Sequence, residues 1–361
     1  MMVSARATAF LTAALAASVA TCAEDPRSWL ERMEHALATR NYQGTFVHEH
    51  DGQTETLKIV HRVSAGEVAE RIVSLDGSGR EVIRQNGELT AYFPDRRVVL
   101  VERGPEQGLL LTDLLRLDAT SAQIYRVGAE PSTRVSGRAA HVVVVEPLDD
   151  LRYGYRVWVD ESSAMPLKTQ LVTATGHVVE QLVFTELSLP ARIPDSALLP
   201  AVSARDYRWM RHAEETPVAA GAAAPDALWS AGHWQSGQLP PGFHLTANSM
   251  QVLAGAHTVV DHLVFSDGLA SVSVFVEPGA TAPDAPPGAP APATVTQVGS
   301  STALSTVVDG HRVTAIGEVP PATVRAIAGS LREGFSPTGG PAELSAFGFR
   351  AGAGNSPGRR H

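Results

Sequence analysis

From Gln43 to Leu187 the chain alternates apolar and polar residues with a period of two, in short runs separated by turn residues. That period places alternate side chains on opposite faces of a strand, so the stretch is committed to β-sheet rather than helix. The runs fall at 44–50, 54–61, 68–75, 81–85 and 89–93, then at 98–102, 141–146, 153–160, 167–174 and 178–185. Asn86-Gly87, between Val82-Ile83 and the run at 89–92, fits a two-residue hairpin turn in which both residues take positive φ. Asp51-Gly52 and Asp76-Gly77-Ser78-Gly79 mark earlier turns. Roughly ten antiparallel strands in sequence order predict a meander that curls toward a barrel, because a flat open sheet of that width is unusual.

Ahead of the strands, Asp25-Pro26 supplies an N-cap and a first-turn proline. Trp29, Leu30, Met33, Ala36 and Leu37 then recur at helical spacing until Arg40-Asn41, predicting a helix with one apolar face. Earlier still, Arg6 precedes an apolar run from Ala7 to Ala20 and small residues follow it, the order of a secretory signal peptide over residues 1–23. The run is too short to span a bilayer, and no later stretch approaches a span, so the mature chain is expected in an extracytoplasmic compartment, the periplasm. Cleavage after Ala23 removes Cys22, the one cysteine; cleavage after Ala20 or lipidation of Cys22 are the alternatives. A single cysteine rules out an intrachain disulfide, a four-cysteine zinc site or an iron–sulfur cluster.

Two segments break the strand rhythm. Leu109, Leu110, Leu111, Leu114 and Leu115 crowd a short loop or helix after Gly104-Pro105. Such a segment either plugs the mouth of the curved sheet or lines a cleft for an apolar ligand, and a movable plug does both. Beyond Leu189-Pro190 the rhythm is lost, and 201–228 is expected as a linker, Ala/Gly/Pro-rich from Thr216 to Ala227. A second domain is expected over 229–333. It has strand-like runs at 258–265, 269–276, 301–308 and 311–316, and a helix opened by Pro320-Pro321 that carries Val324, Ile327, Ala328 and Leu331. Residues 277–293 inside it, and the tail 334–361, are Pro/Ala/Gly-rich and read as disordered.

Chemistry-bearing motifs are scarce. The chain has no P-loop, no HExxH, no GxSxG elbow and no GxGxxG opening a helix. Asp149-Asp150 lies between two strand runs, where aspartates shape turns. His48, His50 and His61 fall on adjacent strand runs and would make a metal site if they shared a face, but an exposed polar strand face explains them as well, and no metal or other cofactor is expected. With 29 Lys+Arg against 38 Asp+Glu the net charge is −9, which argues against nucleic acid as a partner.

Trp29-Leu30-Glu31-Arg32-Met33, Asn41-Tyr42-Gln43-Gly44-Thr45-Phe46, Arg80-Glu81-Val82-Ile83-Arg84-Gln85-Asn86-Gly87 and Tyr92-Phe93-Pro94 resemble the MucB/RseB family of periplasmic regulators. The resemblance continues in order through Tyr155-Arg156-Val157-Trp158-Val159-Asp160, Met165-Pro166-Leu167-Lys168, Leu239-Pro240-Pro241-Gly242-Phe243, Ser266-Asp267-Gly268-Leu269 and Gly317-Glu318-Val319-Pro320-Pro321.

It implies a mostly β fold: an N-terminal curved, unclosed antiparallel barrel similar to the lipoprotein-carrier (LolA-like) fold over residues 24–200, and a smaller C-terminal α+β domain. It further implies a non-enzymatic negative regulator of sigma-E-type signalling. Such a protein binds the periplasmic segment of a single-span anti-sigma factor, protects it from site-1 proteolysis and is released by lipid or lipopolysaccharide. The chain would then be peripheral to the inner membrane through its partner, with homo-oligomerisation left open. The leucines at 109, 110, 111, 114 and 115 are the candidate lipid contacts. Trp234, Leu239 and Phe243 are the candidate partner contacts, with core closure as the other reading of those three. A periplasmic lipid or lipoprotein carrier is the alternative, although a carrier has no need of the second domain.

Overall fold

A computed structural model describes residues 25–77, 79–103, 121–211, 234–252, 259–277 and 293–334. The chain divides after Glu214 into two compact units. Among the described residues no helix is long and apolar enough to cross a membrane.

The first unit opens with α1 (Pro26–Thr39), whose start is fixed by the Asp25 carboxylate accepting the Arg27 N–H at 3.0 Å. Trp29, Leu30, Met33, Ala36 and Leu37 form its buried stripe, and the chain turns extended at Arg40. Among the described residues twelve strands follow. They are β1 (Tyr42–His50), β2 (Gln53–Ser64), β3 (Glu67–Ser74), β4 (Glu81–Gln85), β5 (Glu88–Phe93), β6 (Val98–Arg103), β7 (Tyr125–Val135), β8 (Arg138–Pro147), β9 (Gly154–Asp160), β10 (Pro166–Val172), β11 (Val178–Ser188) and β12 (Arg208–Arg211). The Asn86-Gly87 turn has both φ angles positive, at 55° and 69°, as its sequence predicts.

The strands form one unclosed sheet in the order β12-β6-β5-β4-β3-β2-β1-β11-β10-β9-β8-β7. The single meander expected from the sequence is instead two meanders, β1–β6 and β7–β11, joined through the antiparallel pairing of β1 with β11. That junction puts β1 in the middle of the sheet, and β6 and β7, neighbours in sequence, near opposite ends.

One sheet face carries α1, which packs on β7 and β8 with Trp29 against His141 at 3.9 Å. Following the strand register from His141, this face includes Val143, Val157, Leu171, Leu182, Phe184, Phe46, Leu57, Ile59 and Ile72, all buried. The opposite face is crossed by the chain after β11. Ile193 and Leu198 pack on Val60 and Ala69. Val202, Ala204 and Tyr207 then pack on Ile83, Tyr92, Val99 and Val101, and β12 ends the crossing by pairing parallel to β6. Residues 201–211, inside the span expected as linker, are therefore a strap packed on the sheet, held by pairing and packing with β4 to β6 that no local pattern announces.

The second unit contains β13 (Trp234–Ser236), β14 (His244–Val252), β15 (Val259–Ser266), β16 (Ser271–Glu277), β17 (Thr294–Val298), β18 (Ser301–Val308), β19 (His311–Gly317), α2 (Pro321–Ser330) and β20 (Leu331–Glu333). Six strands form an antiparallel sheet in the order β14-β15-β16-β19-β18-β17, and α2 packs on β18 and β19. The core joins Val272, Val274 and Val276 to Val324, Ile327 and Ala328. Leu331, expected on the helix, starts β20 instead, because the helix ends at Ser330 and the chain straightens to pair with β13.

Candidate functional site

The α1-bearing face of the large sheet is the candidate site. Its middle is set by Phe46 on β1 and Phe184 on β11, whose rings stand 5.6 Å apart at 58°. Gly44 makes room for them: a Cβ there would lie 2.2 Å from the Glu186 carbonyl oxygen and 3.0 Å from the Phe184 ring. The remainder of this row is aliphatic, with Leu57, Ile59 and Ile72 each 5% exposed or less.

A polar row interrupts the apolar face. Cross-strand register sets Tyr42 opposite His61, His61 opposite Glu70 and Glu70 opposite Arg84. The His61 Nδ1–H donates to Glu70 Oε1 at 2.6 Å, and both side chains are sealed from solvent. The Tyr42 ring stacks on the imidazole. Burial, with the Glu70 charge adding to it, pushes the Tyr42 phenol well above its ordinary value. Among the described residues the Tyr42 hydroxyl and His61 Nε2 have no hydrogen-bond partner.

Charged residues organise the other face. Glu81, 1% exposed, pairs with Arg71 and accepts the Ala201 N–H at 3.0 Å, while Arg71 Nη1 donates to the Ala197 carbonyl at 3.2 Å. Arg62 pairs with Asp195. These bonds tie the strap to β2, β3 and β4. At the far end of the sheet the Asp160 carboxylate accepts two bonds from Arg138, at 3.1 and 2.9 Å, and others from Ser162 and Ser163. Burial alone would raise Asp160, but the bonds from Arg138, Ser163 and Ser162 and the Arg138 charge outweigh it and hold this carboxyl well below the usual range.

Beside α1, an open cleft of about 390 Å³ runs between Trp29, Arg32, His35 and Arg40 on one wall and Ser162 to Ala164 on the other, with the Arg32 guanidinium 3.6 Å above the Trp29 ring. A second, of about 350 Å³, is lined by Glu55, Asp76, Arg80, Phe93, Asp95 and Arg96. The first exposes mostly apolar surface between its charged residues, whereas the second has charged walls that suit polar groups better than acyl chains.

The leucines at 109, 110, 111, 114 and 115 lie outside the described residues. Trp234 and Phe243 are each 6% exposed in the core of the second unit, and Leu239 packs against that core. They belong to a hydrophobic core, the other of the two readings their sequence left open. Trp234 is held there by the β13–β20 pairing, invisible in a three-residue strand. The three strand histidines do not converge: His48 pairs with Glu180 and His50, whereas His61 sits at the other end of the β1–β2 hairpin. Among the described residues no group of three potential ligands gathers for a metal. Asp149 shapes its turn as expected, accepting the Leu151 N–H at 3.0 Å and binding the fully buried Arg152 through both carboxylate oxygens. The Tyr42–His61–Glu70 row and the Glu81 anchor go unnoticed in the sequence; the available signal is that His61 shares its strand parity with Leu57 and Ile59 and so faces inward with them.

Residues 25–202 match the MucB/RseB N-terminal domain and residues 230–332 the MucB/RseB C-terminal domain. The chain is 33% identical over 330 residues to the sigma factor AlgU regulatory protein MucB of Pseudomonas aeruginosa, covering 89% of this chain and 95% of the relative. It is 25% identical over 315 residues to the sigma-E factor regulatory protein RseB of Escherichia coli, covering 84% and 90%. Among solved structures, MucB in complex with MucA(peri) is similar with a TM-score of 0.63 at 30% identity, covering 86% of this chain and 100% of that one. A structure of the Pseudomonas aeruginosa MucA/MucB complex gives 0.64 at 29%, with the same coverage.

Proposed function

The chain belongs to the MucB/RseB family, and from that premise we propose that it is a periplasmic negative regulator of sigma-E-type signalling. It binds the periplasmic segment of a single-span anti-sigma factor, shields that segment from the site-1 protease, and lets go when a lipid or lipopolysaccharide fragment binds. It works by binding and not by catalysis.

The observation that carries this reading is that the likeness to sigma-factor regulators runs through both units, over 95% of the length of MucB. A lipoprotein carrier would need the first unit alone. The solved MucB that holds MucA(peri) supports the choice of partner. Release follows from linkage: a ligand that prefers the conformation unable to hold the anti-sigma factor shifts the population by its differential affinity. Acyl chains are assigned to Leu109, Leu110, Leu111, Leu114 and Leu115, the densest aliphatic cluster near the middle of the first domain's sequence.

Calorimetric titration of the mature chain with the anti-sigma periplasmic segment tests the reading. Saturable binding that lipopolysaccharide weakens is expected, and the absence of saturable binding overturns it. A chain carrying Leu110→Asp and Leu114→Asp should still bind the segment but lose its response to lipopolysaccharide; an undiminished response removes these leucines from the lipid site.

A further inference from the structure

We propose that the outer edge of β12 is a docking strand for an extended, acidic polypeptide segment, which adds to the large sheet beside Trp209 and Arg211. The inference does not depend on the regulatory reading.

Among the described residues β12 ends the sheet, with β6 as its neighbour in register from Arg208 opposite Val98 to Arg211 opposite Val101. The Arg208 N–H donates to the Arg97 carbonyl at 2.8 Å, which fixes the direction of every main-chain group in the strand. Arg208 and Met210 turn theirs toward β6, so Trp209 and Arg211 turn theirs outward. Among the described residues, nothing pairs with those outward groups.

The side chains suit an added strand. Trp209 is 48% exposed and Met210 42%, and successive residues of a strand face opposite sides, so each sheet face offers one large apolar group at this edge. Trp209 is already held in place: its Nε1–H donates to the Ala204 carbonyl at 3.4 Å, and its ring stands edge-on to Tyr92 at 6.4 Å. A fixed aromatic loses little rotamer freedom on binding.

Charge names the occupant. Arg205, Arg208 and Arg211 on the strap and β12, with Arg96 and Arg97 in the adjoining turn, are all exposed, against Asp95, Glu102 and Asp206, in a chain whose net charge is −9. Arginines along an edge repel a second copy of the same edge, which would bring the same charges, and attract a strand bearing carboxylates. The other end of the sheet is treated differently: β7 carries Pro131 and a register shift between Glu130 and Thr133, devices that block strand addition. β12 has neither.

The probe is a labelled peptide, acetylated and amidated at its ends, of sequence Asp-Glu-Val-Phe-Val-Glu-Asp, with a control in which lysine replaces every acid. Titrated into the full mature chain and followed by fluorescence anisotropy, the acidic peptide should bind saturably, more weakly as salt is raised, and the lysine peptide should not bind. Hydrogen exchange should slow at the Trp209 and Arg211 amides of the wild-type chain when the acidic peptide is present. Arg211→Pro removes one outward N–H and one charge while leaving the bonds to β6, and should weaken binding about tenfold, more than Arg211→Ala does. No saturable binding, equal binding of the lysine peptide, or exchange at Trp209 and Arg211 unchanged by bound peptide would each overturn the proposal. So would a wild-type dimer whose contact protects the same two amides.

Discussion

The phenol ring of Tyr42 lies flat on the imidazole of His61, 4.4 Å between ring centres and 12° between planes, inside a sheet face that is mainly apolar. The contact follows directly from strand register, since Tyr42 on β1 and His61 on β2 are cross-strand partners. It buries two polar atoms without partners among the described residues, the Tyr42 hydroxyl and His61 Nε2, and each such atom costs about 1–3 kcal/mol.

Tyr42→Phe keeps the stacking and removes one of those atoms. The variant is expected to be as stable as the wild type or up to about 1 kcal/mol more stable. Urea denaturation of the two chains measures this, and a loss above about 1 kcal/mol would mean that the hydroxyl has a partner in solution.

The strap rests on Glu81, which joins Arg71 on β3 to the Ala201 N–H across the sheet. Glu81→Ala leaves Arg71 without its carboxylate and should cost about 2–4 kcal/mol. Hydrogen exchange should speed up first over residues 193–211, including β12, while β8 to β10 stay protected. Uniform acceleration across the first unit would show that the strap does not open by itself.

Gly44 has no room for a methyl group, because the Glu186 carbonyl would lie 2.2 Å from it and backbone cannot step aside as a side chain can. Gly44→Ala must spread β1 from β11 at the junction of the two meanders, a destabilisation of about 2–3 kcal/mol. A drop in the thermal midpoint of the first unit reports it; an unchanged midpoint would contradict the packing described.

Asp160 sets an acid limit. Its folded pKa is depressed, so its contribution is fully present above the unfolded value of about 3.9 and fades as pH falls from there through the folded value. Asp160→Asn should therefore cost about 2 kcal/mol near pH 7, where Arg138 is partly screened by solvent, and less at pH 3. Equal costs at the two pH values would remove Asp160 from the acid response.

Local signals were readable wherever one short segment decided the outcome. Asp25-Pro26 starts α1, Asn86-Gly87 turns β4 into β5, and the alternating run 81–85 is β4 to the residue. What the sequence concealed depends on partners far along the chain. β7 hides behind Gly128 and Pro131, which an edge strand tolerates. β12 is four exposed residues with no periodicity to detect, and becomes a strand because the strap delivers it to β6. Trp234 looks like an exposed anchor until Glu333, nearly a hundred positions away, pairs beside it and Leu331 joins the same core. The pairing of β1 with β11 joins residues about 140 positions apart, which no local pattern announces.

The regulatory account is tested most directly by the cleavage rate of the anti-sigma periplasmic segment by the site-1 protease, with the mature chain present and lipopolysaccharide titrated in. The account predicts that the chain slows cleavage and that lipopolysaccharide restores it over the same concentrations that dissociate the complex. Cleavage that proceeds unslowed beside the chain, or that stays blocked when lipopolysaccharide is saturating, would contradict it.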